Sequence, residues 1–271
     1  MKNNTKVMAA PYTIWAAGFI IIPLFLVIYY AFTTKASSFT LENITAISQS
    51  TNLKALGLSV LLSLISTIIC LVLAYPLAMI LAASGVNQSS FMVFIFILPM
   101  WMNFLLRTLA WQTLLEKTGV INGILSFLNL PNINIINTPY AIVLGMVYNF
   151  LPFMVLPIYN ILIKIDINVI NAARDLGANN IQTFSRVIFP LSLPGVISGI
   201  TMVFVPALTT FVISDLLGGA KILLIGNVIE QEFKQANNWH TGSGLSFVLM
   251  IFIVISIFIT NKYDKEGGSI L

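Results

Sequence analysis

Residues 166–195 read DINVINAARDLGANNIQTFSRVIFPLSLPG, a polar, charged island between two long apolar runs. The stretch resolves into two short helices joined by a glycine. Asp166 is placed to cap the first helix, along which Ile167, Ile170 and Ala173 recur every three residues and Leu176 closes the face. Gly177 permits the left-handed residue that stops a helix. Asn179 restarts the chain, with Gln182 three residues on in capping-box spacing. Ile181, Phe184, Val187 and Ile188 form a second apolar stripe, which Pro190 and Pro194 are expected to end as they launch the next apolar run. Helices of about eight residues are unstable alone in water. This hairpin therefore needs something to dock on.

Outward from the hairpin the chain is greasy. Of 271 residues, 58% are hydrophobic and only 8% charged, the mean hydropathy is +0.96, and soluble domains carry about 25% charged residues. The apolar runs fall at 12–32, 55–82, 91–106, 140–162, 191–213 and 244–260. A helix needs about 20 residues to cross a bilayer, whereas a membrane strand needs about 10 that alternate. The expectation is an all-α membrane protein of six transmembrane helices. It forms one transmembrane domain over 1–271, with its core at about 11–260 and the polar loop at about 164–190. The first run is longer than a signal-peptide core and is read as a retained span. Ser59, Ser63, Ser66 and Thr67 share one side of the second run and suit helix–helix packing. The loops at 116–138 and 214–243 each carry a helical stretch, the latter at 222–236.

Several chemistries are excluded. A net charge of +4, spread along the chain, does not suggest nucleic acid, and one cysteine (Cys70) and one histidine (His240) build neither a disulfide nor a metal cluster. The six runs contain no Asp, Glu, Lys, Arg or His. Coupling to an ion gradient and intramembrane catalysis both need such residues. No Gly-x-x-x-x-Gly-Lys-Ser/Thr loop is present to cradle a nucleotide. A conduit without a motor, carrying a docking hairpin on one side, fits a transport subunit driven by a partner. With both termini inside, seven of the 13 Lys and Arg lie on the inner side and six outside, a slight positive-inside bias.

The pattern Ala172-Ala173, Gly177 four residues on, then Val187-Ile188-Phe189-Pro190 resembles the signature loop of ABC-importer permeases. The resemblance runs from about residue 11 to 260. Leu98-Pro99-Met100-Trp101-Met102-Asn103-Phe104-Leu105-Leu106-Arg107-Thr108, Val205-Pro206-Ala207, Ile213-Ser214-Asp215-Leu216-Leu217-Gly218-Gly219-Ala220-Lys221 and Leu224-Ile225-Gly226-Asn227-Val228-Ile229 are similar to strings in the spermidine/putrescine permeases of PotB type. Related permeases for iron, sulfate or phosphonates share the architecture.

The resemblance implies a type I importer permease fold with a cytoplasmic coupling-helix loop, in a bacterial inner membrane and with both termini cytoplasmic. It also implies a PotC-type sister permease, a pair of ATPase copies that hold ATP and Mg, and an extracytoplasmic polyamine-binding protein. No cofactor is expected on this chain itself. The coupling loop would comprise Asn171, Ala172, Ala173, Asp175, Gly177, Ala178, Phe184, Val187 and Pro190. Asn171 stands where the family usually has Glu, which removes one charge from the dock.

A polyamine path wants carboxylates and ring faces, so Trp101, Asn103, Tyr148, Asn149, Phe150 and Asp215 are the candidates for lining it. Each has a plainer reading. Asp215 equally suits a cap for the turn before Gly218-Gly219, the aromatics suit packing, and Trp101 suits an interfacial anchor. The amides Asn103 and Asn149 must face protein or water. Arg107 reads as an interfacial or inter-subunit contact or a headgroup anchor. Glu230 and Glu232 are either a contact for the binding protein or a solvated face. Purified alone, the chain is expected to release no phosphate from ATP; measurable turnover would place a motor within it.

Overall fold

The computed structural model describes residues 11–84, 98–219 and 221–267, with the backbone alone described at 99 and 261–267. The described chain is helical, apart from an isolated bridge between Thr33 and Phe39. Besides a one-turn helix at Glu42–Thr45, its helices are α1 (Pro11–Ala31), α2 (Ser50–Ala83), α3 (Phe104–Leu115), α4 (Val120–Phe127), α5 (Pro139–Leu162), α6 (Ile167–Asp175), α7 (Asn180–Thr209), α8 (Val212–Gly218), α9 (Ile225–Lys234) and α10 (Trp239–Gly267).

Among the described residues, five helices are long and apolar enough to cross a membrane: α1, α2, α5, α7 and the Trp239–Thr260 part of α10. The six expected runs are therefore seen as five. Residues 91–97 of the run at 91–106 lie outside the described residues. In the rest of that run the chain makes a tight turn at Leu98–Trp101 and then starts α3 afresh at Phe104. The reason is Asn103, whose side chain accepts from the amides of Leu105 and Leu106 at 2.8 and 3.3 Å and so caps a new helix. Pro190 and Pro194 do not end the hairpin's second arm. It runs on through a wide turn at Phe184–Ile188 into α7, with Pro190 in the first turn after it and Pro194 within the helix. Both helical stretches expected in the loops form, as α4 and α9.

The chain divides into two compact units, 1–55 with 228–254 and 56–227 with 255–271. In the first, Ala46, Ala55, Val228 and Leu245 make a small core. The Phe32 ring there meets Phe247 edge-on at 5.2 Å and stacks on Phe39 at 6.0 Å.

The second unit holds the main core, in which Ile142, Met146, Met154 and Ile158 of α5 are fully buried with Val203 and Ala207 of α7 and Ile213 and Leu217 of α8. α5 is the hub, packing against α7, α8 and α3. Between α5 and α7 the backbones approach closely at Gly195 and Gly199, a small-x-x-x-small pair. A Cβ at Gly195 would lie 2.8 Å from the Pro157 carbonyl oxygen, and one at Gly199 would lie 2.7 Å from the Met154 sulfur. Hydroxyls add cross-links. Ser59, Ser63, Ser66 and Thr67 are all buried; the Ser59 oxygen accepts from the Ile225 amide at 2.8 Å, and the Tyr75 and Ser192 hydroxyls are 2.6 Å apart.

Overpacking a close helix contact costs about 1–3 kcal/mol. Gly199→Leu is expected to lower the thermal unfolding temperature in detergent by several degrees. Gly57→Ala, where no atom lies within 4 Å of the new carbon, should leave it unchanged or raise it.

Candidate functional site

Two places in the second unit have the makings of a site: the hairpin and a cavity among α3, α5 and α7. The hairpin is built by local hydrogen bonds. The Asp166 carboxylate accepts from the Asn168 amide at 2.9 Å and starts α6. At the other end the amides of Gly177 and Ala178 donate to the carbonyls of Arg174 and Ala173 at 2.8 and 3.1 Å, and Gly177 has φ +85°. That pair of bonds around a left-handed residue is the Schellman stop. The capping box then forms reciprocally. The Asn179 side chain accepts from the Gln182 amide at 2.8 Å and the Gln182 side chain from the Asn179 amide at 2.9 Å.

The apolar stripes of the hairpin are not covered along their length. Ile170, Ala173, Phe184, Val187 and Ile188 are half-buried. Phe184 meets Tyr75 edge-on at 5.6 Å. Leu176 and Ile181, on which the two-stripe pattern also relied, are 89% and 77% exposed. Asn171, Ala172, Asp175, Gly177 and Pro190 are exposed too, and Ala178 is half-buried. The hairpin thus presents polar side chains around two apolar tips. Behind it, a cavity of about 370 Å³ is lined by Met79 and Ala82 of α2, Leu162 of α5, Ile170 and Arg174 of α6, and Ile188.

The second cavity, about 460 Å³, is lined by Met100, Met102, Phe104, Arg107, Asn149, Phe150, Phe153, Met202 and Pro206. Of the six candidates for a path, it brings together Asn149 and Phe150. Asn149 is fully buried; its amide nitrogen donates to the Gly145 carbonyl at 2.8 Å, and its oxygen has no hydrogen-bond partner. The other four lie elsewhere. Trp101 is 75% exposed, and Asn103 is spent on capping α3. Tyr148 lies edge-on to Trp111 at 5.1 Å.

The Asp215 carboxylate accepts from the Asn227 side chain at 2.5 Å, and α8 stops at Gly219 with φ +61°. Asn227 is a hub that sequence reasoning passed over. Its oxygen accepts from Ser214 at 2.6 Å and from the Leu224 amide at 3.0 Å, and its nitrogen also donates to the Phe211 carbonyl at 3.1 Å. Within the chain Arg107 is 7% exposed, with its guanidinium 6.0 Å from the Phe104 ring and 5.8 Å from the Tyr148 ring. Glu230 pairs with Lys234 at 3.0 Å.

Comparison with known proteins agrees with this architecture. Residues 56–262 match the binding-protein-dependent transport system inner membrane component family, a span that holds both the hairpin and the cavity. The chain belongs to that family. It is 38% identical over 269 residues to the spermidine/putrescine transport system permease protein PotB of Haemophilus influenzae, covering 96% of this chain and 94% of that one. The protein of the same name from Escherichia coli is 38% identical over 253 residues, covering 90% and 92%.

In fold the chain is similar to a chain of the bacterial ABC transporter involved in the import of the acidic polysaccharide alginate. The TM-score is 0.76 at 16% identity, over 97% of this chain and 95% of that one. A chain of the inward-facing MetNI methionine ABC transporter gives 0.57 at 17% identity, over 79% and 95%. The fold is therefore that of a type I ABC-importer permease, and family members are inner-membrane components of transport systems.

Removing one partner from a buried polar network costs about 1–3 kcal/mol per group left unsatisfied. Asn227→Ala is expected to lower the unfolding temperature by more than Asn237→Ala, because Asn227 is 1% exposed and satisfies four groups. Thermal melts of the two variants check this.

Proposed function

We propose that this chain is one of two unlike permease subunits of an ATP-driven importer for polyamines, spermidine or putrescine. It would form half of the path and leave ATP hydrolysis to a separate pair of ATPase copies that hold the nucleotide and Mg. The observation that carries the substrate is the 38% identity to a spermidine/putrescine permease over 94% of that protein's length. Its partners would be a PotC-type sister permease, the ATPase pair and an extracytoplasmic polyamine-binding protein. It would sit as one permease domain of six spans in a bacterial inner membrane, with both termini in the cytoplasm.

The coupling element in this reading is residues 164–190. The exposed tips Leu176 and Ile181 are apolar area that a groove in the ATPase would cover. The Schellman stop and capping box make the hairpin a rigid unit rather than a floppy loop. Because its second arm runs unbroken into α7, a push on the hairpin is a push on a spanning helix, and packed helices shift as bodies rather than deform. Asn171 in place of the usual acid puts more of the grip on shape than on charge.

The test is reconstitution of this chain with the sister permease, ATPase pair and binding protein in liposomes. ATP-dependent uptake of labelled spermidine or putrescine is expected; uptake of only some other solute would overturn the substrate. In the same vesicles, Gly177→Val forces a β-branched residue to φ +85° and breaks the turn. ATP hydrolysis should persist while uptake falls at least tenfold. Full uptake by that variant would overturn the lever.

A further inference from the structure

The cavity among α3, α5 and α7 poses a problem for a cation path, because its wall includes a cation. Among its described lining residues Arg107 is the one ionic group, set in a wall of Met100, Met102, Phe104, Phe153 and Met202. Its guanidinium lies 6.0 Å from the Phe104 ring and 5.8 Å from the Tyr148 ring, the range of cation–π attraction. The Tyr148 ring is braced edge-on by Trp111 at 5.1 Å. On the same wall is Asn149, fully buried and with its oxygen unpartnered. Ring faces and an unpaired amide oxygen are what an ammonium ion seeks when it leaves water. Phe104 and Asn149 line the cavity, and the protein's own cation, Arg107, is already seated near the Phe104 ring and the neighbouring Tyr148 ring.

We infer that Arg107 is a tethered stand-in for a cargo ammonium, and that its positive charge bars small inorganic cations from this cavity until cargo displaces it. The inference rests on the transport reading above. A buried charge of like sign raises the energy of any second cation in a low-dielectric cavity, as fixed arginines do in other selective pores. A hydrated potassium ion has nothing to offset that repulsion. An alkyl diammonium or triammonium ion has two offsets. Its methylenes cover the methionine and phenylalanine walls, and its ammonium can take over the ring faces and the Asn149 oxygen as the guanidinium swings aside. Arg107 then acts as a selectivity element that lets a path for organic cations stay closed to the ions holding the membrane potential.

The experiment uses the complete importer in liposomes loaded with potassium ions and a neutral sugar, without ATP or binding protein, and follows efflux of both. The unaltered complex should hold both. Arg107→Gln should raise potassium efflux about tenfold or more while the sugar stays inside, and Arg107→Lys, which keeps the charge, should stay tight. Potassium retention by Arg107→Gln, equal loss of ion and sugar, or leakage through Arg107→Lys would each overturn the barrier. Spermidine uptake by the unaltered complex is read separately with ATP and binding protein. Its failure would sink the transport reading while leaving the potassium result to decide the role of Arg107.

Discussion

Close backbone approach between α5 and α7 is the constraint on which the second unit depends. In hydrocarbon, helices gain nothing by hiding apolar surface from water. They associate where small residues let the chains come near enough for dispersion and polar contacts. Gly195 and Gly199 supply that room, against Pro157, Ile158 and Met154 of α5. α5 in turn carries the core residues against which α8 and α3 are set. Since α7 begins as the second arm of the hairpin, the same contact ties the surface loop to the centre of the unit.

Polar groups inside the bundle follow from a second constraint, that an unmet donor or acceptor away from water is costly. Ser59 meets the first amide of α9, Tyr75 meets Ser192, and Asn227 gathers Ser214, Asp215 and two backbone groups into one network. These bonds join segments far apart in sequence, and they are directional where dispersion is not. They fix helix rotation as well as proximity. Against that background the unpartnered Asn149 oxygen stands out, because it lines a cavity instead of a contact.

Hairpin and cavity illustrate two ways of placing function on one scaffold. The hairpin is made by neighbours in sequence and leaves its apolar tips outside. The cavity is made by side chains from three helices and a turn, and holds a charge that no span of the sequence pattern would lead one to place inside. A proline-rich α5, with Pro152 and Pro157 in its interior, passes close to both. Pro157 backs Gly195, and Asn149, Phe150 and Phe153 reach the cavity.

Local information sufficed for part of this. Helix length and hydropathy marked the spanning segments, and capping chemistry marked the hairpin down to its glycine. Those features are set by residues within about four positions of one another, where spacing alone specifies the hydrogen bonds. Tertiary structure decided the rest. It buried Arg107 against rings from α3 and α5 and tied Asp215 to Asn227. The physical reason is common to both. A polar or kinking residue in a membrane bundle is resolved by whichever group the fold brings opposite it, and that group is set by how the helices pack, not by its neighbours along the chain.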